Sequence, residues 1–250
     1  RSSDLIHGAT VSSHYVSSEE NVDTVVNGTR HVLAFCQAAG VERLLFVSSG
    51  AVYGPQPPDM PMLSETYLGG PDPTSLASAY AESKRMAELL CVIAARQSGF
   101  ALTLARCFAF VGPYLPLDTH FAIGNFMRDV LAQRDIRILG HGQVVRSYLY
   151  AADLAVWLWQ ILCRGKTGQA YNVGSDQAIS LQALADKIRL HATAPVTVHI
   201  AEQASPDMPR QAYVPNIDLA RADLGLEVRV SLDQAIARTL HWHRTHHLAS

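Results

Sequence analysis

Cysteine is scarce in this chain, with four in 250 residues. Cys36, Cys91, Cys107 and Cys163 stand far apart and form no C-x-x-C pair. That spacing excludes a disulfide framework and points to a reducing compartment, the cytoplasm. Each falls in an apolar run, where a free thiol is expected to behave as a small buried hydrophobe. A basic surplus is missing as well. The 20 Lys and Arg face 22 Asp and Glu, a formal net charge of −2, so nucleic acid is not an expected partner. No apolar run approaches the ~20 residues that a membrane-crossing helix needs, and Arg1-Ser2-Ser3-Asp4 carries no signal-peptide pattern. A membrane is therefore not an expected partner either. With 48% hydrophobic and 17% charged residues the chain is too apolar for general disorder and can pack one large or two small domains. His241, His243, His246 and His247 lack a carboxylate or Cys partner at ligand spacing, so they read as a solvated helix end and no metal site is expected.

Short apolar runs alternate with longer helical patterns, the pattern of β-α-β units around a parallel sheet. Strands are expected at 4–9, 44–47 and 100–105, with helices at 21–39 (stopped by Gly40) and 77–98. The fully apolar Leu44-Leu45-Phe46-Val47 suits a strand covered on both faces. Between them the segment Pro55 to Pro73, rich in proline, is expected to be a surface loop. Further on, helices are expected at 121–133, 153–163, 181–191 and 231–244, and strands at 136–139, 147–150, 170–173 and 196–200. No linker divides the chain, so any second lobe is woven from segments after Phe108.

The sharpest chemical pattern is Tyr80-Ala81-Glu82-Ser83-Lys84, a Tyr-x-x-x-Lys on a helix, following a strand that ends in Ser48-Ser49-Gly50. The i,i+4 spacing sets phenol and ammonium one turn apart on one face. An adjacent ammonium favours a phenolate, so the spacing predicts a Tyr80 whose pKa falls from ~10 towards neutrality. Such a group serves as general base or acid in an alcohol–ketone interconversion. Ser49, at a strand end, can hydrogen-bond the same substrate oxygen.

These residues resemble the extended short-chain dehydrogenase/reductases, in their nucleotide-sugar epimerase/dehydratase branch. The matching stretches are Phe46 to Gly54 and Tyr80 to Lys84, with Arg106 to Pro113 fitting "R-x-F-N-x-Y-G-P" in part. Gly140-His141-Gly142 with Val145 to Asp153 is similar to "G-D-G … R-D-F-I-Y-V-D-D". Tyr171-Asn172-Val173-Gly174 resembles "F-N-I-G", and Pro206 to Leu224 resembles the closing nucleotide-binding segment. The resemblance runs from Asp4 to about His243. It implies a Rossmann-like doubly wound parallel sheet lacking its first strands, with 1–108 the remainder of a dinucleotide-binding domain. Residues 109–250 are then mainly a smaller substrate lobe, interleaved with the first.

By that resemblance Ser49, Tyr80 and Lys84 are catalytic, and Gly8, Ala9, Thr10, Ser48, Tyr80, Lys84 and Phe108 hold NAD, with NADP not excluded. Ser49, Asn125, Arg146 and Arg210 fall where a nucleotide-diphosphate sugar binds, and two planar guanidinium forks suit a diphosphate. A homodimer is expected, since the Tyr80 helix carries a second apolar stripe and the resemblance places it in a four-helix interface. The chain also departs from the pattern. The Gly-rich pyrophosphate turn is missing, which leads to the expectation of ~60 or more further residues before Arg1, two β-α units of ~30 each. The family's Asn and Tyr before Gly112 are Ala109 and Val111, and its Asn three before Gly28 is Val25. Dehydratases carry Asp-Glu just after the catalytic Ser/Thr; here those positions are Gly50 and Ala51, which disfavours 4,6-dehydration.

The expected activity is thus 4-epimerisation or 4-keto reduction of a nucleotide sugar. Two alternatives stay open: a non-catalytic sensor or scaffold on the dinucleotide fold, and a reductase of a small non-sugar ketone. Ser49, Tyr80 and Lys84 weigh against the first, Arg146 and Arg210 against the second.

Overall fold

The structure, a computed structural model, describes residues 4–10, 17–119, 121–202, 208 and 210–247. Its centre is a parallel sheet in the order β1-β2-β3-β8: β1 (Asp4–His7), β2 (Arg43–Ser49), β3 (Ala101–Cys107) and β8 (Ala170–Val173). Alternate side chains of β2 and β3 go to opposite faces, as strand geometry requires. Leu44, Phe46, Leu102 and Leu104 pack under α2 (Gly28–Ala39) and α3 (Ala79–Ser98). Leu45, Ala105 and Cys107 pack on the other face under α5 (Ala151–Arg164) and α7 (Asp218–Leu224). Double coverage explains why β2 reads as a continuous apolar run.

The helix expected at 21–39 begins earlier, as α1 (Ser18–Val22), because the Ser17 hydroxyl accepts the Glu20 N–H at 3.1 Å and caps it. It passes through a wide turn at Asp23–Asn27 into α2 and ends at Gly40, whose φ of +65° only glycine adopts freely.

The rest of the chain forms a second packed group. It comprises β5 (Ile136–Ile138) paired with β10 (Val198–Ile200), and β6 (Val145–Arg146) between β9 (Ile179–Ser180) and β11 (Ala212–Tyr213). α4 (Ala122–Leu131), α6 (Leu181–Arg189) and α8 (Leu232–His247) enclose one core with Phe126, Met127, Leu184 and Ile236. β4 (Phe110–Val111) pairs with β7 (Leu149–Tyr150) between the two groups. β7 falls within the strand expected at 147–150, whereas the other two-residue strands and α7 had no periodicity long enough to show in the sequence.

Three expectations are corrected. The Pro-rich segment is not all surface: Leu63 is fully buried and donates its N–H to the Val214 carbonyl at 2.8 Å. Gln56 is also buried, accepting the Val214 N–H at 2.9 Å and donating to Met60 O at 2.8 Å, so distant backbone satisfies what a loop normally leaves to water. Cys36, Cys91 and Cys107 are buried, but Cys163 is exposed at the end of α5. His243 is buried on the inner face of α8, so the His-rich end is not wholly solvated. Among the described residues no helix is long and apolar enough to cross a membrane.

Candidate active site

Three parallel strands deliver the site. β1, β2 and β3 end along one edge of the sheet, at His7, Ser49 and Cys107. That is the edge where open parallel sheets gather their ligands. Beyond β1 the chain runs through exposed Gly8, Ala9 and Thr10. His7 is buried and lies 3.1 Å from the Thr29 hydroxyl, which spends its single proton on Val25 O. The His7 Nε2 must therefore be the donor, and burial with nearby Lys84 depresses its pKa. Ser49 caps the short turn Gly50–Tyr53, accepting the Ala51 N–H at 3.1 Å.

α3 then places Tyr80 and Lys84 over these strand ends. Lys84 is 1% exposed; its Nζ donates to Val47 O at 3.0 Å and sits 5.1 Å from the Phe46 ring and 6.0 Å from the Tyr80 ring. Burial lowers its pKa to about 8. The Tyr80 phenol is pushed up by burial, and bonding with the Ser49 and Thr10 hydroxyls pulls it only partly back. The expected lowering of Tyr80 by the ammonium is thus not what the fold shows. Desolvation dominates, and Lys84 has turned its ammonium to a backbone carbonyl.

A buried ammonium with three donors and one backbone acceptor on this side suits a polyhydroxy or anionic ligand. With the Thr10 hydroxyl and the small residues Gly8 and Ala9, it fits the ribose end of a dinucleotide. The stability consequence is testable. Lys84 titrates near 8 in the fold and near 10.5 unfolded, so the native state binds this proton more weakly and gains stability as pH rises between those values. At pH 7 the buried charge costs about 3 kcal/mol. Lys84→Met keeps the bulk and removes the charge, while the Val47 carbonyl loses a partner worth about 1 kcal/mol. Urea unfolding at pH 7 is expected to show Lys84→Met about 2 kcal/mol more stable. The difference should shrink towards pH 10.5; a constant difference would refute this account.

The structure brings Phe108 and Arg146 to the same place. Both meet Tyr213: the Phe108 ring packs against it at a tilt of 31°, with centroids 4.5 Å apart, and the Arg146 guanidinium lies 5.9 Å from its ring. Arg146 also donates to Val145 O at 2.9 Å. The other expected residues lie elsewhere. Ser48 points inward and donates to Glu88 at 2.6 Å, leaving only its backbone to a ligand. Arg210 is exposed and donates to Met60 O at 3.0 Å, tying the segment that leads into β11 to the Pro-rich segment. Asn125 lines a cleft of about 1360 Å³ between α4 and the Gly140–Gly142 turn, where it accepts from Arg128 at 3.3 Å. The segment resembling the closing nucleotide-binding stretch begins with Pro206, which lies outside the described residues; its remainder includes β11 and α7.

Two features escaped the sequence. One is Tyr213, half-buried, whose hydroxyl fills the space beside Gly50; the small Gly50 was the signal, because a close neighbour needs that space. The other is a buried network behind the site. Arg106 donates to both Glu88 oxygens, at 3.0 and 2.8 Å, and to the Tyr53 hydroxyl at 3.1 Å. Tyr53 in turn donates to Asn172 at 2.8 Å, so β2, β3, β8 and α3 are tied together beneath Ser49.

A parallel sheet covered by helices on both faces defines a Rossmann-like α/β protein, with a tyrosine, a lysine and a serine gathered at its carboxyl edge. A family model, described as the NAD dependent epimerase/dehydratase family, matches residues 3–174, and the chain belongs to that family. UDP-glucuronic acid decarboxylase 6 of Arabidopsis thaliana is 30% identical over 217 residues, 87% of this chain and 62% of that protein. The chain spans about half to three-fifths of the length of the curated relatives it matches. Solved structures confirm the Rossmann-like fold. A UDP-glucose 4-epimerase of Thermotoga maritima with UDP-glucose superposes with a TM-score of 0.81 at 22% identity, over 96% of this chain and 76% of that one. A UDP-glucuronic acid 4-epimerase of Bacillus cereus in complex with NAD gives 0.81 at 19% identity, over 96% and 73%.

Proposed function

We propose that this chain is the catalytic part of an NAD(P)-dependent nucleotide-sugar 4-epimerase or 4-ketoreductase. The observation that carries the reading is the convergence of Ser49, Tyr80 and buried Lys84 in a chain of this family. NAD(H), when bound, would supply the hydride acceptor and donor; Lys84 and Tyr80 would hold its ribose, and Phe108, Ser48, Gly8, Ala9 and Thr10 are the other residues that would bind it. The chain's own groups handle the oxygen. Tyr80 takes the proton of the sugar 4-hydroxyl on oxidation and returns one to the 4-oxygen on reduction. Ser49 hydrogen-bonds the same oxygen and keeps it beside the phenol. Epimerisation requires the ketone to present its other face before reduction; ketoreduction uses the second half alone. Arg146 is proposed to hold the diphosphate beside Tyr213, with Asn125 and Arg210 proposed to bind the rest of the nucleotide along the neighbouring cleft that Asn125, Met208 and Gln211 line.

Gly50 and Ala51 supply neither acid nor base beside Ser49, which disfavours 4,6-dehydration. Decarboxylation is a second reading, favoured by the relatives that bear that name. A 4-ketone is β to the C6 carboxylate of a glucuronate, so the same oxidation step makes CO₂ a leaving group. We also propose a homodimer. Val22, Met86 and Leu89 are exposed yet line one groove between α1 and α3, together with Leu76, and Ile93 is exposed on α3 as well. Sedimentation at twice the chain mass is the expected result, and a monomer at micromolar concentration refutes it.

The test of function is turnover by the full-length protein with NAD(P)(H) and a panel of UDP-, dTDP-, GDP- and CDP-sugars with their 4-keto forms. Inversion or reduction at C4, read by proton NMR, supports the proposal. Release of CO₂ from UDP-glucuronate would move the chain to the second reading, and an unchanged panel would overturn both.

A further inference from the structure

We infer that Arg85 is a positioning residue that fixes the turn after Ser49 against the helix that carries Tyr80. The inference rests on the proposed function for its catalytic meaning. Ser49 ends β2 and Tyr80 stands on α3, so their separation depends on what ties those two elements together. Consecutive residues of α3 make ties on either side of Ser49. Lys84 Nζ donates to Val47 O at 3.0 Å, two residues before it. Arg85 Nη1 donates to Val52 O at 2.9 Å, three residues after it. A third tie, from the Ser48 hydroxyl to Glu88 at 2.6 Å, again lies before Ser49.

The turn Gly50–Tyr53 is bonded within itself and to the serine. The Ala51 N–H donates to the Ser49 hydroxyl at 3.1 Å, and the Gly54 N–H donates to Ala51 O at 3.0 Å. The Ser49 oxygen is thus joined to the same piece of backbone that Arg85 holds. Tyr53 anchors the turn too, but to Arg106 of β3 and Asn172 of β8, which belong to the sheet. Beyond Ser49 it is Arg85 that joins the turn to α3. Loss of that bond leaves the serine gripped by the Tyr80 helix from one side.

The guanidinium is seated for this contact. Nη1 carries two protons, and two carbonyls receive them: Val52 O, and Gly69 O of the Pro-rich segment at 3.1 Å. Glu82, one turn back on α3, lies 3.6 Å from Nε and steadies the side chain. The backbone closes round it as well. Gly54 has a φ of +70°, and a Cβ there would collide with Gly70 O, while a Cβ on Gly70 would lie 3.4 Å from the guanidinium carbon. Yet the Arg85 side chain stays 43% exposed, so its removal opens no buried cavity. Loss of position can therefore be read apart from loss of stability.

The first arm of the test needs no substrate. Arg85→Met in the full-length protein keeps the apolar stem and removes both donors. Amide exchange at Ala51 and Gly54, whose N–H groups close the turn, is expected to quicken about tenfold, the equivalent of one hydrogen bond. The melting temperature is expected to stay within about 2 °C of the parent. Arg85→Lys, which still reaches one carbonyl, is expected to recover most of the protection; Arg85→Gln, with a shorter stem, is expected to match Arg85→Met. With substrate, kcat of Arg85→Met is expected to fall about tenfold while KM changes less than about twofold. In a Ser49→Ala background the same change is expected to leave the residual rate unmoved, because the effect passes through the serine. An effect exerted through the α1–α3 groove, which Arg85 also lines, would persist in that background. Unchanged exchange, a loss carried by KM, an equal loss without Ser49, or a melting temperature that falls with the exchange rate overturns the inference. An inactive panel of nucleotide sugars would sink the proposed function and leave the exchange arm to decide.

Discussion

Replacing Tyr80 by Phe is expected to lower turnover by about 10²–10⁴, the contribution of a positioned acid–base group. Only a hydroxyl is removed, so circular dichroism and urea midpoint should stay close to those of the parent. The pH dependence makes the prediction specific. Burial holds the Tyr80 phenol above its ordinary pKa, so at neutral pH it carries its proton. In the reductive direction it is then a ready acid, and the rate should be flat from pH 6 to 8. In the oxidative direction the phenolate is the minor species, and the rate should climb about tenfold per pH unit over the same range, as for any base used well below its pKa. Residual activity of Tyr80→Phe should lose that climb. Full activity, or an unchanged slope, would remove Tyr80 from the mechanism.

Truncating Glu88 is expected to be the most damaging change away from the substrate. Glu88 and Arg106 form a fork-to-fork pair, with side chains only 11% and 18% exposed. Glu88→Ala leaves the guanidinium buried without a counter-charge, a change that typically costs about 3–5 kcal/mol. The hydroxyl of Ser48 loses its acceptor as well. Thermal or urea unfolding measures this directly. The cost belongs to the orphaned charge more than to the pair, so Glu88→Leu combined with Arg106→Met should recover most of it. A double variant as unstable as Glu88→Ala would show that the network, not the lone charge, is the larger contribution. Because the pair ties β2 and β3 to α3, single truncations should also loosen Ser49 against Tyr80. Activity is then expected to fall before the protein unfolds.

Much of this site was legible in the chain because its signals are local. Helix geometry sets Tyr80 and Lys84 one turn apart whatever surrounds them, and an apolar run ending in Ser48-Ser49-Gly50 marks a buried strand meeting the ligand edge. Those same rules made α3, β2 and β3 readable, and the motif stretches led to the family. Short pairings such as β6 with β11 left no such trace, since two residues carry no period. Nor did the burial of Leu63 and Gln56 in a proline-rich segment, because Val214, far along the chain, supplies their partners.

The sequence by itself therefore determined the alternation of strands and helices and the residue types of the proposed acid–base set. Only the tertiary structure decided their electrostatics and their neighbours. It buried Lys84 and Tyr80, so that desolvation, not the i,i+4 charge, governs how they titrate. It turned Ser48 inward to Glu88 while Ser49 met Tyr80, and it brought Tyr213 from the far end of the chain into the space left by Gly50. Periodicity and spacing are properties of adjacent residues, whereas solvent exclusion and long-range hydrogen bonds exist only once remote segments share one packed interior.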